Sequence, residues 1–271
     1  MPLRSHTIVL RTTCLMAILG DLILHLIFLV AICGGALAIV AIRKQSQSYA
    51  LLSVRVLTTV ACMAATCFCI LLYAFSVPDL RLIYVQQHVE RAMPMFYRLT
   101  ALWGGMEGSM LLWLTALCVV AAIAVRKERH RLPRMIPYVV LFFVGVIIFF
   151  CGIMLVSSNP FATFLANGPV TGKGLNPLLQ NPYMVTHPPS LYMGFVTLTV
   201  PFAFAVGAMG SGELDSRWLE AARPWALLGW FFLSLGLTLG MLWAYEELGW
   251  GGYWGWDPVE NAGFMPWLLI S

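Results

Sequence analysis

Apolar stretches of at least about 19 residues recur six times along this chain, and no soluble fold has room to bury them. As helices rising about 1.5 Å per residue, they reach about 30 Å, the thickness of the hydrocarbon core of a bilayer. We therefore predict an all-α polytopic bundle of transmembrane helices that forms one transmembrane domain over residues 1–271. The predicted spans lie near 17–41, 50–76, 103–125, 135–156, 190–209 and 225–245.

A seventh helix is predicted to open at Val259, because its start signals are strong. Asp257 suits the capping position, Pro258 the first turn, and Glu260 the position of a capping-box acid. The sequence then ends at Ser271. The intervening residues reach only about 20 Å, too little to cross a bilayer. We expect a truncated seventh span in a fragment, a gene remnant or a split protein whose remainder is a second polypeptide.

Composition agrees with a membrane protein and excludes some other classes. Apolar residues make up 60% of the chain and charged residues 10%. The formal net charge of +4 is small and forms no basic patch, so no nucleic acid partner is predicted. Six of the seven cysteines lie in apolar runs and are predicted to be packing residues. Cys67 and Cys69 would point about 200° apart on a helix, which disfavours a metal pair.

Loop charge predicts which helix ends share a side of the membrane. Nine lysines and arginines lie in one set of alternate loops: 42–49, 126–134 and 210–224. Four lie in the other set: 77–98, 157–189 and 246–258. Since cytoplasmic loops retain positive charge, the first set is predicted to be inside, although Arg4 and Arg11 before the first span oppose this orientation. The long loop 157–189 and the aromatic segment 246–258 would then share the outer face.

The aromatic segment interleaves large rings with glycines beside a membrane span. From Glu246 to Trp267 it reads EELGWGGYWGWDPVENAGFMPW. Aromatic faces at a bilayer surface can hold a flat, apolar ligand, and glycines let that ligand approach the backbone. The alternative is an ordinary interfacial belt of aromatic residues, which most membrane proteins have.

The order of residues in this segment resembles the WWD signature of the haem-handling proteins of cytochrome c maturation. Its tail, residues 256–267, is similar to the CcmF family rather than to its sister families CcmC and CcsA. Three further blocks resemble CcmF in the same order: Tyr97 to Trp113, Asn159-Pro160-Phe161, and Leu175 to Gln180 leading to His187-Pro188-Pro189. Four blocks in register make the resemblance specific.

The resemblance implies a subunit of a haem lyase that holds haem on the outer face for covalent attachment to apocytochrome c. It implies haem as cofactor and the haem-delivery and thiol-handling maturation proteins as partners. The implied location is the bacterial inner membrane or an organellar inner membrane. Such a protein positions its substrates rather than activating them with side chains. The implied cofactor-binding residues are His187, Trp250, Tyr253, Trp254, Trp256 and Asp257.

His187 is the strongest single candidate, as an axial ligand of the haem iron. A neutral imidazole is a good iron ligand, and Pro188 and Pro189 would fix the backbone just before the helix predicted near residue 190. The alternative is a histidine that caps that helix or bonds a loop carbonyl. The family pairs this ligand with a later histidine, and none follows His187 here. Three outer-face residues could neutralise the haem propionates: Arg91, Arg98 and Lys173.

Ionisable groups elsewhere leave two further functions open. Glu107, Arg55 and His25 would suit a transporter of haem or another lipophilic ligand, or a proton pathway. Glu107 could instead meet Arg98, or be an acid favoured by the helix dipole at a helix start. His88 is expected to be structural. A structural or docking fragment, with tryptophans as interface anchors, is the third possibility.

Overall fold

The computed structural model describes residues 3–164, 169–249 and 251–271, and within them all the long elements are α-helices. In chain order the helices are α1 (Leu3–Lys44), α2 (Gln47–Ser76), α3 (Ile83–His88), α4 (Met95–Thr100), α5 (Met106–Glu128), α6 (Ile136–Val156), α7 (Pro182–Ser211), α8 (Arg217–Glu247) and α9 (Pro258–Ile270). Six of them are long and apolar enough to cross a membrane. This confirms the predicted all-α bundle and its six spans.

The long helices pack in one bundle in which helices that follow one another along the chain are antiparallel, whereas α5 and α7, which run in the same direction, are parallel. Helix α1 contacts α2 and α6, α5 contacts α2, α6 and α7, and the last two helices follow in order, α8 on α7 and α9 on α8. Small residues bring α7 and α8 together, since a Cβ at Gly229 would lie 2.5 Å from a methyl carbon of Leu198. A Cβ at Gly194 would lie 2.7 Å from the side chain of Leu233. Close backbone approach of this kind is how membrane helices associate where the hydrophobic effect is weak.

Alternation of the helices gives the bundle two distinct ends. We call the end that carries loops 45–46, 129–135 and 212–216 the basic end, and the opposite end, which carries residues 157–164, 169–181 and 251–257, the aromatic end. At the basic end, Arg131 forms an ion pair with Glu220, which ties the α5–α6 loop to the first turn of α8. The loops therefore group as loop charge predicts, and the cytoplasmic placement of the basic end stays a prediction.

Loop residues 157–164 and 169–181 are held against the segment around α3. The amide of Ile83 donates to the carbonyl oxygen of Ala162 at 2.9 Å, and that of Lys173 donates to the carbonyl oxygen of Gln86 at 2.8 Å. These bonds join parts of the chain about eighty residues apart. These backbone hydrogen bonds fix the position of the loop at the aromatic end.

Tyr84 organises the adjoining turn. Its hydroxyl donates to the carbonyl oxygen of Leu102 at 2.7 Å and accepts from the amide of Gly105 at 3.2 Å. Burial raises the pKa of the Tyr84 hydroxyl well above its ordinary value, which keeps it a donor. The His88 ring packs against the Tyr84 ring with centroids 4.5 Å apart and planes tilted by 52°, and its Nδ1 lies 2.9 Å from the Tyr84 carbonyl oxygen. This geometry matches the structural role expected for His88.

The structure corrects the predicted start of the fifth long helix. Helix α7 begins at Pro182 rather than near residue 190, so the long loop that precedes it ends at Asn181 and not at residue 189. The Asn181 side chain accepts from the amide of Tyr183 at 2.8 Å, which caps the helix. Pro182 occupies the first turn, where its missing N–H costs no hydrogen bond.

Candidate functional site

His187 lies inside α7 and faces α8. Its Nδ1 is 2.7 Å from the carbonyl oxygen of Gly236. A carbonyl oxygen only accepts, so Nδ1 carries the proton and donates, and Nε2 of the neutral ring keeps its lone pair. This is the tautomer a metal ligand requires, and the bond to Gly236 fixes the orientation of the ring.

The imidazole lies directly against Gly240 of α8. A Cβ at Gly240 would lie 2.7 Å from Cε1 of His187 and 3.0 Å from Nδ1, so a side chain at this position would displace the ring. Pro188 and Pro189 lie within the helix rather than before it, and they donate no N–H to its hydrogen-bond ladder. The helix backbone, and not a proline-stiffened loop, therefore positions His187.

Polar contacts hold the beginning of α7 to the end of α8. Nδ2 of Asn181 is 2.9 Å from Oε2 of Glu246 and 2.9 Å from Oε1 of Glu247. The indole Nε1 of Trp243 donates to the carbonyl oxygen of Leu178 at 2.9 Å. The two acids thus accept from the side-chain amide of Asn181, and the contacts bring the aromatic segment beside the first turns of α7.

His187 and Trp254 line one small cavity of about 80 Å³ at the aromatic end. Asp257 and Glu260 lie along the same wall. The indole Nε1 of Trp254 is buried and has no hydrogen-bond partner among the described residues. Since a buried donor without an acceptor costs about 1–3 kcal/mol, this N–H is suited to an acceptor supplied from outside the chain.

A larger, mainly apolar cavity of about 340 Å³ adjoins the first. Its walls include Trp254, Trp256, Phe264 and Trp267. The two cavities share Leu237, Met241 and Trp254, so the space beside His187 and the larger one meet at these side chains. The volume falls in the range of about 300–1,000 Å³ that small-molecule sites occupy.

The rings of Trp254 and Trp256, two of the residues implied to bind the cofactor, lie nearly at right angles to each other. Trp254 and Trp256 are 5.8 Å apart with their planes at 83°, so one flat ligand can lie parallel to only one of them. Tyr253 stacks on Tyr245 at 4.4 Å and lines neither cavity. Trp250 lies outside the described residues.

Trp256 has a backbone conformation that bulky residues rarely adopt. Its φ is 57°, in the left-handed region, and the Asn261 side chain donates to its carbonyl oxygen at 3.1 Å. The side chain is 67% exposed, so burial within this chain does not compensate for the strain. Strain at an exposed aromatic residue is typical of a binding position.

Asp257 and Glu260 form the predicted capping box of α9. Oδ1 of Asp257 accepts from the amide of Glu260 at 2.7 Å, and Oε2 of Glu260 accepts from the amides of Asp257 and Gly255 at 3.2 Å and 2.9 Å. The helix cap predicted for Asp257 is confirmed. These bonds set the direction in which the chain leaves the aromatic segment and enters α9.

Asp257→Ala is expected to loosen the start of α9 by about 1 kcal/mol, because the amide of Glu260 loses its acceptor. Asp257→Asn keeps an acceptor oxygen and is the matched control. Hydrogen exchange at the Glu260 amide, measured in detergent micelles, should be faster in the alanine variant and close to wild type in the asparagine variant. Equal exchange in all three proteins would contradict the cap.

Several polar groups that the sequence suggested near the site lie outside the lining of the two cavities. Nη1 of Arg98 donates to the carbonyl oxygen of Ser76 at 3.0 Å, and no ion pair joins Arg98 to Glu107 in the part of the chain that the structure describes. Neither cavity is lined by Arg91, Arg98 or Lys173, the three residues suggested for propionates. Such a role for them would require movement of the loops.

The structure adds Asp21, which the sequence analysis did not single out, to the ionisable groups of α1. Nδ1 of His25 is 2.9 Å from the Asp21 carbonyl oxygen and 3.6 Å from its Oδ2, and Nδ2 of Asn159 lies 2.6 Å from Oδ1. The sequence pattern that could have identified Asp21 is an acid four residues before a histidine within an apolar run. His25 is exposed on α1, Glu107 opens α5 at the aromatic end, and Arg55 faces the basic end, so the three groups suggested for a transport path are not brought together.

Comparison with known proteins finds relatives that are all cytochrome c assembly or biogenesis proteins. Residues 103–271 match the family described as "Cytochrome C assembly protein". The chain is 47% identical over 209 residues to the cytochrome c-type biogenesis protein CcmF of Escherichia coli K12, covering 76% of this chain and 32% of that protein. CcmF of Pseudomonas aeruginosa is 40% identical over 255 residues, covering 93% of this chain and 38% of its own length.

A solved structure titled "Cytochrome c Heme Lyase CcmF" has the same fold. It superposes with a TM-score of 0.80 at 34% sequence identity, covering 94% of this chain and 40% of that chain. The chain therefore spans about a third of the length of the curated relatives it matches. The family match includes α7, α8 and the aromatic segment, which are the elements that build the two cavities.

Proposed function

Since this chain belongs to the cytochrome c assembly protein family, we propose that it is a haem-handling membrane subunit of the cytochrome c maturation system. Its six apolar helices and its similarity to CcmF make it an integral membrane protein. In the proposed role it holds haem at the aromatic end, facing the periplasm or an equivalent outer side, for attachment to apocytochrome c. Haem-delivery and thiol-handling maturation proteins would be its partners.

One observation carries the proposal: His187 presents an Nε2 lone pair in a ring fixed by Gly236, and it lines one cavity with Trp254. The surroundings fit a porphyrin in two further ways. The unpaired indole N–H of Trp254 suits an anionic oxygen such as a propionate, and the adjoining apolar cavity suits the ring. Haem itself supplies the vinyl groups to which the cysteine thiols of apocytochrome c add.

The residues of this chain would act by positioning. His187 would bind iron through Nε2, with Gly236 holding the imidazole in one orientation. Trp254 or Trp256 would lie against the ring, and the apolar walls would exclude water. A bound substrate that is held in one geometry loses less entropy when it reaches the transition state. This is the contribution expected of a protein that orients its substrates rather than activating them.

Haem titration of the purified chain in detergent tests this role. We expect a Soret band that saturates near one haem per chain. Metal-free protoporphyrin IX offers the same ring without iron, and we expect it to bind at least roughly tenfold more weakly, a loss of about 1.4 kcal/mol. Absence of a Soret band, or equal affinity for both porphyrins, would contradict ligation by His187.

Vesicle transport separates the proposal from the transporter alternative. Uptake of labelled haem that is abolished by Glu107→Ala but unaffected by His187→Ala would favour transport over ligation. We expect the reverse dependence for haem binding, since Glu107 lines neither cavity at the aromatic segment.

A further inference from the structure

A cavity of about 390 Å³ at the basic end brings together several cationic side chains without an acid in its lining. Arg55 reaches it from α2, and Arg126, Arg129 and His130 reach it from the end of α5 and the turn that follows. The remaining wall is Leu51, Val54 and Thr58. Like charges gathered around one space repel one another unless an anion lies between them.

No carboxylate compensates these arginines in the part of the chain that the structure describes. Arg55, Arg126 and Arg129 are absent from the ion pairs found there. Glu128, the acid in the last turn of α5, is buried and lies 3.9 Å from Nη1 of Arg131 instead. The charge of the cavity is therefore available to an external anion.

His130 also remains available on one nitrogen. Nε of Arg129 donates to Nε2 of His130 at 3.0 Å, so this nitrogen is unprotonated and the neutral ring carries its proton on Nδ1. That N–H is a further donor beside the arginines.

The position of Arg55 along α2 places the cavity at the depth of phospholipid headgroups. Helix α2 has 30 residues and is about 45 Å long, about 15 Å more than the hydrocarbon core. Arg55 lies about 12 Å from the helix start at Gln47, near the boundary between hydrocarbon and headgroups. A guanidinium there is costly unless it reaches an anion or water.

We propose that this cavity binds the phosphate of an anionic phospholipid headgroup. Guanidinium groups bind phosphate oxygens in a bidentate manner, and Arg55 and Arg126 from two helices would hold it from two sides. Leu51 and Val54 provide an apolar wall for the first part of an acyl chain, which favours a lipid over free phosphate. Basic pockets between transmembrane helices bind anionic lipids in this way. The lipid would join α2 to α5 at the basic end.

Titration of the full chain in detergent tests the site, with phosphatidylglycerol, phosphatidylcholine and inorganic phosphate as probes. Binding is counted by native mass spectrometry and checked by thermal unfolding. Arg55→Gln combined with Arg126→Gln should lower phosphatidylglycerol affinity roughly tenfold or more. Arg43→Gln combined with Lys127→Gln removes the same charge from the same end without touching the cavity, and should retain wild-type affinity.

A variant that combines Arg55→Lys with Arg126→Lys controls for misfolding, because it changes the same two positions but keeps both positive charges. It should retain part of the preference for phosphatidylglycerol over phosphatidylcholine. Equal binding of phosphatidylglycerol and phosphatidylcholine to the wild-type chain would overturn the proposal. So would an equal loss in the Arg43 and Lys127 variant, which would indicate net charge alone. Stabilisation by inorganic phosphate as large as that by phosphatidylglycerol would overturn the lipid as the source of the phosphate.

Discussion

Replacing His187 with alanine is expected to remove iron-dependent haem binding while leaving the bundle folded. The alanine lacks the Nε2 lone pair that the bond to Gly236 leaves available. Affinity for haem should therefore fall by at least roughly tenfold, toward that of metal-free protoporphyrin IX. The Soret band of ligated haem should be lost with it. Haem titration followed by absorbance measures both changes.

Two controls separate ligation from a structural role. His88→Ala removes another histidine at the aromatic end, one that packs against the Tyr84 ring and lines neither cavity of the candidate site. It should retain haem binding. Free imidazole added to His187→Ala should restore the Soret band, because it supplies the missing nitrogen but cannot restore a helix contact. Wild-type binding by His187→Ala, or an equal loss in His88→Ala, would refute the assignment.

Gly240→Ala is expected to disturb the same site through packing alone. The new Cβ would lie 2.7 Å from Cε1 of His187, so the imidazole must move away from Gly236 or α7 must move away from α8. Overpacking of this kind costs about 1–3 kcal/mol. We expect a lower unfolding temperature together with a loss of haem affinity, measured by thermal unfolding and haem titration on one preparation.

Gly152→Ala is the matched control for this substitution. Gly152 lies within α6, and a Cβ there would meet nothing within 4 Å. The change should be neutral or slightly stabilising, since alanine favours helix more than glycine does. If Gly240→Ala left both unfolding and haem affinity unchanged, the close contact between His187 and Gly240 would be wrong.

Signals carried by adjacent residues anticipated several features correctly. The six spans follow from runs of apolar residues, and the α9 cap follows from Asp257 and Glu260 three positions apart. The Asn181-Pro182 pair carried the same kind of signal. It lies within the loop predicted over residues 157–189, yet it caps and opens α7. That error displaced the predicted start of the helix by two turns and placed His187 in a loop.

Local sequence patterns could not predict the contacts between helices. The amino-acid sequence was sufficient for an all-α membrane bundle, for its alternating ends and for His187 and Trp254 at one of them. Only the tertiary structure shows the hydrogen bond from His187 to Gly236 and the cavity that His187 shares with Trp254. The same holds for the nearly perpendicular planes of Trp254 and Trp256. The reason is physical: apolar runs and caps act through neighbouring residues, whereas a ring's tautomer and orientation depend on the helix packed against it.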